Sequence, residues 1–288
     1  MLSLVGIAVL FVMVFGGYIL AGGKLGIILK ALPFELMMIG GAAVAAMLIS
    51  SSMDVVKSAV AGFGRVISGP RWKAEDYRDL LCLLYLLTKL IKTKGNVAIE
   101  PHIEKPEEST IFTRFPRILN DHFAKDFICD TFRMMILNVD DPHQVEDTME
   151  KQLEKHHHEA LGGADALTGM ADGLPALGIV AAVLGVIKTM ASIDQPPEIL
   201  GKMIGGALVG TFLGVFLAYG LVGPFATRLK ACENEDFQFY TIIRDAIVAH
   251  LKGNPAQISV EMARGNVPST MQPSFSELEE AINNLAPA

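Results

Sequence analysis

Residues 172–228 read DGLPALGIVAAVLGVIKTMASIDQPPEILGKMIGGALVGTFLGVFLAYGLVGPFATR, two long apolar runs joined by the polar ASIDQPPEILGK. Each run has about the 20 residues needed to cross a hydrocarbon core of roughly 30 Å. The stretch therefore predicts a hairpin of two membrane spans, with glycine along the face where they meet. Gly206, Gly210 and Gly214 recur every four residues in the second run, and Gly178 and Gly185 occur in the first. Such spacing clears side chains from one helix face and lets another helix approach closely.

Two further spans are expected upstream. Residues 2–21, LSLVGIAVLFVMVFGGYILA, carry no charge and lack the basic leader and short core of a secretory signal, so they read as a retained first span. A second apolar run extends from Phe34 to about Ser50, with Glu35 at its edge. MDVVKSAVAGFGRVIS, residues 53–68, then reads as that helix leaving the bilayer or as an interfacial helix.

The mean hydropathy of +0.40 over 288 residues hides a second population. Between Arg71 and Asp165 lie 13 Lys/Arg and 18 Asp/Glu, too many for lipid. There RWKAEDYRDLLCLLYLLTKLIKTKG predicts a long amphipathic helix whose run Leu80–Leu87 is too short to span and reads as packed core. NVAIEPHIEKPEES reads as a turn or short loop; helical pattern resumes over 118–137 and again from Pro142 into the third span. The fold class is all-α: an integral membrane protein with four transmembrane helices and a large helical domain between spans 2 and 3. Its segments are expected at 1–50 (spans 1 and 2), 51–170 (helical domain), 171–228 (spans 3 and 4) and 229–288 (a C-terminal helix and tail).

Near the span ends, Lys57, Arg65, Arg71, Lys73, Lys151, Lys155, Arg228 and Lys230 fall on one side, against Lys24, Lys30, Lys188 and Lys202 on the other. The positive-inside rule puts the large domain and tail in the cytoplasm. Three widely spaced cysteines, Cys82, Cys129 and Cys232, fit a reducing compartment. A net charge of −7 offers no nucleic-acid face.

No phosphate-binding loop and no hydrolase or metalloprotease motif is present, so neither an enzyme nor a cofactor is expected. His156, His157 and His158 are adjacent on a charged helix, point in different directions, and read as a solvated face rather than a metal site. Apart from Glu35, Asp172 and Lys188 at their edges, the four apolar cores contain no ionisable residue. Because a proton must be held by something titratable, the chain either moves no ion or forms a wall around a carboxylate that a second protein supplies. Thr211 lies beside the glycine strip near mid-span, where a hydroxyl back-bonds to its own helix or lines a wet path. Pro175 and Pro224 stand at matching depth in two antiparallel helices, and each can loosen its helix locally.

FGGYILAGG, LLYLL with AIEPHIEKPEES and FPRIL, LPALGIVAAVLGVI, LVGTFLGVFLAYGLVGP and PSFSELEE together resemble the MotA family of flagellar-motor stator subunits, within the MotA/TolQ/ExbB group of proton channels. The resemblance covers nearly the whole chain. It implies a subunit of the bacterial inner membrane, five copies of which surround two copies of a MotB-like one-span protein whose membrane Asp carries the ion. Proton flow would then drive torque on the rotor switch protein FliG.

It assigns conformational coupling to Pro175 and Pro224, the ion path to Thr211 with Ala182 and Tyr219, and rotor contact to Lys92 and Glu100. Ala182, where sodium-driven relatives carry a hydroxyl, favours H+ over Na+ as the transported ion, since a methyl offers no lone pair to a dehydrating cation. The sequence departs from the family at Lys92, often arginine, at Pro101 and at Gln272. An ExbB/TolQ-like motor subunit, with fewer spans, and a non-conducting membrane scaffold are the alternatives.

Overall fold

A computed structural model describes residues 2–137, 139 and 141–285. Among these the chain is helical, with no strand. The longer helices are α1 (Leu2–Leu20), α2 (Leu25–Ser50), α3 (Met53–Ser68), α4 (Ala74–Lys94), α5 (His122–Ile136), α6 (Pro142–Met190), α7 (Pro197–Leu251), α8 (Ala256–Gly265) and α9 (Phe275–Asn283). Of these α1, α2, α6 and α7 are long and apolar enough to cross a membrane. Contacts divide the chain into a unit running to Gly69 plus Ala160–Cys232, and another of Pro70–Glu159 plus Glu233 onward; α6 and α7 supply residues to both.

The first unit holds the spans. Most large side chains of α1 and α2 are exposed, which in a membrane helix is the lipid-facing surface. α3 is a separate helix, not the end of the second span: Ser51 is extended, and the Ser52 hydroxyl caps the Val55 N–H at 3.5 Å. It buries Ala59, Gly62 and Val66, while Val60, Phe63 and Ile67 stay exposed. Gly163 is tight against it, since a Cβ there would stand 2.8 Å from the Ala59 nitrogen.

The second unit is built around α4. Leu80, Leu81, Leu83, Leu84 and Leu87 are fully buried against Ile99, Ile103, Phe112, Phe132, Phe239 and Ile243. Core status thus follows from the run being buried all round, as its length demanded. α4 stops at Gly95, whose φ of 85° favours glycine.

The expected loop after it is instead a chain of short turns, Asn96–Ile99, Glu100–Glu104 and Pro106–Glu108. Pro101 and Pro106 do not break these turns; they occupy first-turn positions, where a missing N–H costs nothing. The helix expected over 118–137 is also split, because Asp121 caps α5 by accepting the Ala124 N–H at 2.9 Å. α8, unforeseen in the sequence, starts directly after Pro255, which stands at its N-cap position.

Polar links tie this core together. Arg71 pairs with the buried Asp121, Arg117 with the buried Asp76 at 2.9 Å, and the Arg71 N–H donates to Asp236 at 2.7 Å. Trp72 stacks on Phe239 at 3.8 Å. His156 and His157 are not a solvated face: His156 stacks on Phe123 at 3.5 Å, and His157 on Phe237 at 4.1 Å. A half-polar ring can cover apolar surface in this way even on a charged helix.

Burial lowers the proton affinity of His156 and of His250 below the ordinary histidine value of 6.5. The unfolded chain therefore binds more protons as pH falls through about 6.5, and stability present above that value is lost toward the lower folded values. Acid unfolding of the full chain in detergent is expected to steepen below pH about 6.5, by at most about 1.4 kcal/mol per pH unit for each histidine. His250→Leu should remove part of that slope; an unchanged slope in this variant removes His250 from the effect.

Candidate functional site: the glycine-packed span pair

Glycine decides how close α6 and α7 come. A Cβ at Gly178 would lie 2.8 Å from the Gly210 carbonyl oxygen and 3.1 Å from Gly214 Cα. One at Gly214 would lie 2.7 Å from the Leu174 carbonyl oxygen, and one at Gly185 would lie 2.9 Å from Ala207 Cα. These are backbone atoms, which cannot swing aside. Gly178, Gly185, Gly210 and Gly214 thus meet in one seam, with Ala181 and Leu213 buried beside it. Gly206 lies outside it: nothing stands within 4 Å of where its Cβ would be, and it lines a cavity instead.

Thr211 is half-buried next to Gly210. Thr168, Thr189 and Thr227 each donate to the carbonyl four residues back, at 2.9, 2.9 and 3.0 Å. Thr211 makes no hydrogen bond among the described residues, so its hydroxyl is not spent on its own helix. Ala182 is half-buried on α6, its backbone nitrogen 3.2 Å from where a Cβ at Gly210 would stand.

Toward the other end of the pair, Tyr219 and Pro224 line a cavity of about 650 Å³ with Thr168, Asp172 and Thr227. Residues Phe216–Val222 of α7 form a π-helical segment. Pro224 follows this segment directly and cannot donate to the carbonyl four residues back, that of Gly220 within it. Pro175 sits inside the continuous α6. Lys92, in the last turn of α4, and Glu100, at the start of the next short helix, are both exposed, with exposed Val97 between them. They form no ion pair with each other among the described residues.

Sequence reasoning misplaced one residue. Glu35 is not at the edge of a span: it is the eleventh residue of the 26-residue α2, in a window apolar enough to cross a membrane. It is 6% exposed, and its Oε2 has no hydrogen-bond partner. A Cβ at Gly210 would stand 2.7 Å from that oxygen, so a larger residue there would push the carboxyl from its present position. The available signal was the apolar stretch from Leu25, which a boundary drawn at the charge had cut short.

Residues 4–95 match the family Motility protein A N-terminal, and residues 119–240 match the MotA/TolQ/ExbB proton channel family. Motility protein A of Salmonella typhimurium is 38% identical over 98% of this chain and 95% of its own length. The chain belongs to the motility protein A family. The chemotaxis protein LafT of Vibrio parahaemolyticus is a further relative, 32% identical over 97% of this chain and 98% of its own.

The same fold is seen in the structure of C. jejuni MotAB, with a TM-score of 0.72 at 20% identity, covering 93% of this chain and 95% of that one. It is seen again in the flagellar MotAB stator complex from Bacillus subtilis, at 0.70 and 22% identity, covering 96% and 98%. Motility protein A relatives are membrane motor and channel subunits, not enzymes, and the seam of α6 and α7 lies within the segment matched to the channel family.

Proposed function

We propose that the chain is the wall-forming stator subunit of a proton-driven flagellar motor in the bacterial inner membrane. The observation that carries this reading is the close α6–α7 seam with the unspent Thr211 hydroxyl at its middle, in a chain of the motility protein A family. Five copies surround two copies of a MotB-like partner whose membrane Asp binds the proton. Protonation and release shift the wall, with Pro175 and the widened turns before Pro224 giving way. The helical domain, in the cytoplasm, presents Lys92 and Glu100 to the rotor switch protein FliG. Charge pairs of this kind set register and encounter more than affinity.

The test is ion uptake into vesicles holding the chain with and without its partner, and with the partner's membrane Asp changed to Asn. Proton flux only with the intact partner is the expected result, and flux through the chain alone overturns the reading. Sodium-dependent uptake in place of proton uptake overturns the assignment of Ala182. In the same vesicles Thr211→Val should reduce proton flux about tenfold, a barrier change of roughly 1.4 kcal/mol, with assembly intact; undiminished flux takes Thr211 out of the path. Glu100→Lys should cut motor torque severalfold and regain it with an opposite charge swap on the rotor, whereas normal torque in the single variant removes the contact.

A further inference from the structure

We propose that Glu35 is a proton-binding latch between α2 and the helix that carries Thr211. Four observations converge on it. Its carboxyl is buried within a membrane-spanning helix, its Oε2 has no partner, and that oxygen occupies the space beside Gly210, 2.7 Å from where a Cβ would stand. The helix around it is irregular as well: Pro33 lies inside α2 two residues before Glu35, and a π-helical segment, Leu36–Gly40, begins directly after it. Widened turns of this kind give a helix local room to move, and they recur at functional sites.

Glu35 also lines a cavity of about 680 Å³. Every ionisable group along that cavity apart from Glu35 is a lysine: Lys24 just before α2, Lys30 within it, Lys188 from the end of α6 and Lys202 from the start of α7. Lys202 is held by Glu198 at 2.8 Å, while Lys24, Lys30 and Lys188 have no acidic partner among the described residues. The remaining wall is apolar, with Phe34, Met38 and Leu184, apart from Thr189, whose hydroxyl is bonded to Gly185.

The two charge states of Glu35 therefore have different best positions. As the neutral acid it rests on Gly210, where an unpaired carboxylate would cost several kcal/mol. As the carboxylate it is drawn into the cavity toward the unpaired lysine ammonium groups. The proton is taken from a hydronium ion in the cavity, leaving water, and returns to water on release. Gly210 precedes Thr211 and touches Ala182, so each exchange repositions the wall at the ion path. Glu35 is a positioning residue here, and the partner's Asp keeps its role as carrier.

The motor consequence rests on the stator reading, but the protonation does not, and two measurements separate them. Infrared titration of the full-length chain in lipid should show a carboxylic-acid band in the wild type that is absent from Glu35→Gln and disappears as pH is raised. Identical wild-type and variant spectra across the titration overturn the site. If Glu35→Gln does not assemble, Gly210→Ala serves instead, because its Cβ expels the carboxyl and should shift the band; an unshifted band overturns the latch.

In vesicles with the partner, wild-type proton flux should change about tenfold as pH on the lysine-lined side passes through the infrared midpoint, and Glu35→Gln should be flat. Equal pH profiles overturn the latch. A wild-type complex that conducts nothing with its partner counts against the stator reading, and the infrared result then decides Glu35 alone.

Discussion

Leucine in place of Gly214 is expected to abolish the proposed ion flux and to lower the stability of the membrane unit by more than about 3 kcal/mol, above the usual cost of overpacking. The first atom of the new side chain would stand 2.7 Å from the Leu174 carbonyl oxygen and 2.9 Å from Gly178 Cα. Both belong to backbone, so α6 and α7 must separate rather than adjust a rotamer. Separation undoes the contacts at Gly178 and Ala181 together, since they share the seam. Thermal unfolding of the full chain in detergent, paired with vesicle flux, reads both effects. Gly206→Ala is the matched control: its Cβ enters open space, and stability should stay within about 0.5 kcal/mol. Comparable losses in the two variants would show that the seam is not what holds the spans.

Asp121→Ala is expected to destabilise the helical domain by about 2–3 kcal/mol. One part, about 1 kcal/mol, is the lost cap on α5, where the Ala124 N–H would have no acceptor. The remainder comes from the buried pair with Arg71 and the Tyr240 hydroxyl, which approaches both carboxylate oxygens at 3.4 Å. Arg71 is half-exposed, so water takes over part of its charge and the loss stays below that of a fully buried pair. Asp121→Asn should retain most of the cap and lose the pair, giving an intermediate value. Denaturant unfolding of the full chain measures all three proteins; an alanine variant within 0.5 kcal/mol of the wild type, roughly the scatter of neutral surface changes, refutes the account.

The spans were legible because hydrocarbon imposes a long, charge-poor run, and the core helix α4 because eight consecutive apolar residues cannot all be exposed in water. The seam residues Gly178, Gly185, Gly210 and Gly214 were legible for a related reason: glycine recurring every four or seven residues clears one face of a membrane helix. Gly206 shares that spacing and faces a cavity instead, so periodicity names a face without saying where the contact along it ends. Pro101 and Pro106 misled where only their helix-breaking side was counted, because each begins a short turn instead.

The sequence by itself determined the number of spans, the all-helical class, the place of the water-facing block and the family, because each depends on composition along the chain. Only the tertiary structure decided that His156 and His157 are packing rings, that Thr211 leaves its hydroxyl unspent, and that Glu35 is buried against Gly210. Those facts depend on which atoms from distant segments share a space of a few ångströms. Residues 35 and 210 are far apart in the chain, and burial of a carboxyl is a property of everything that surrounds it.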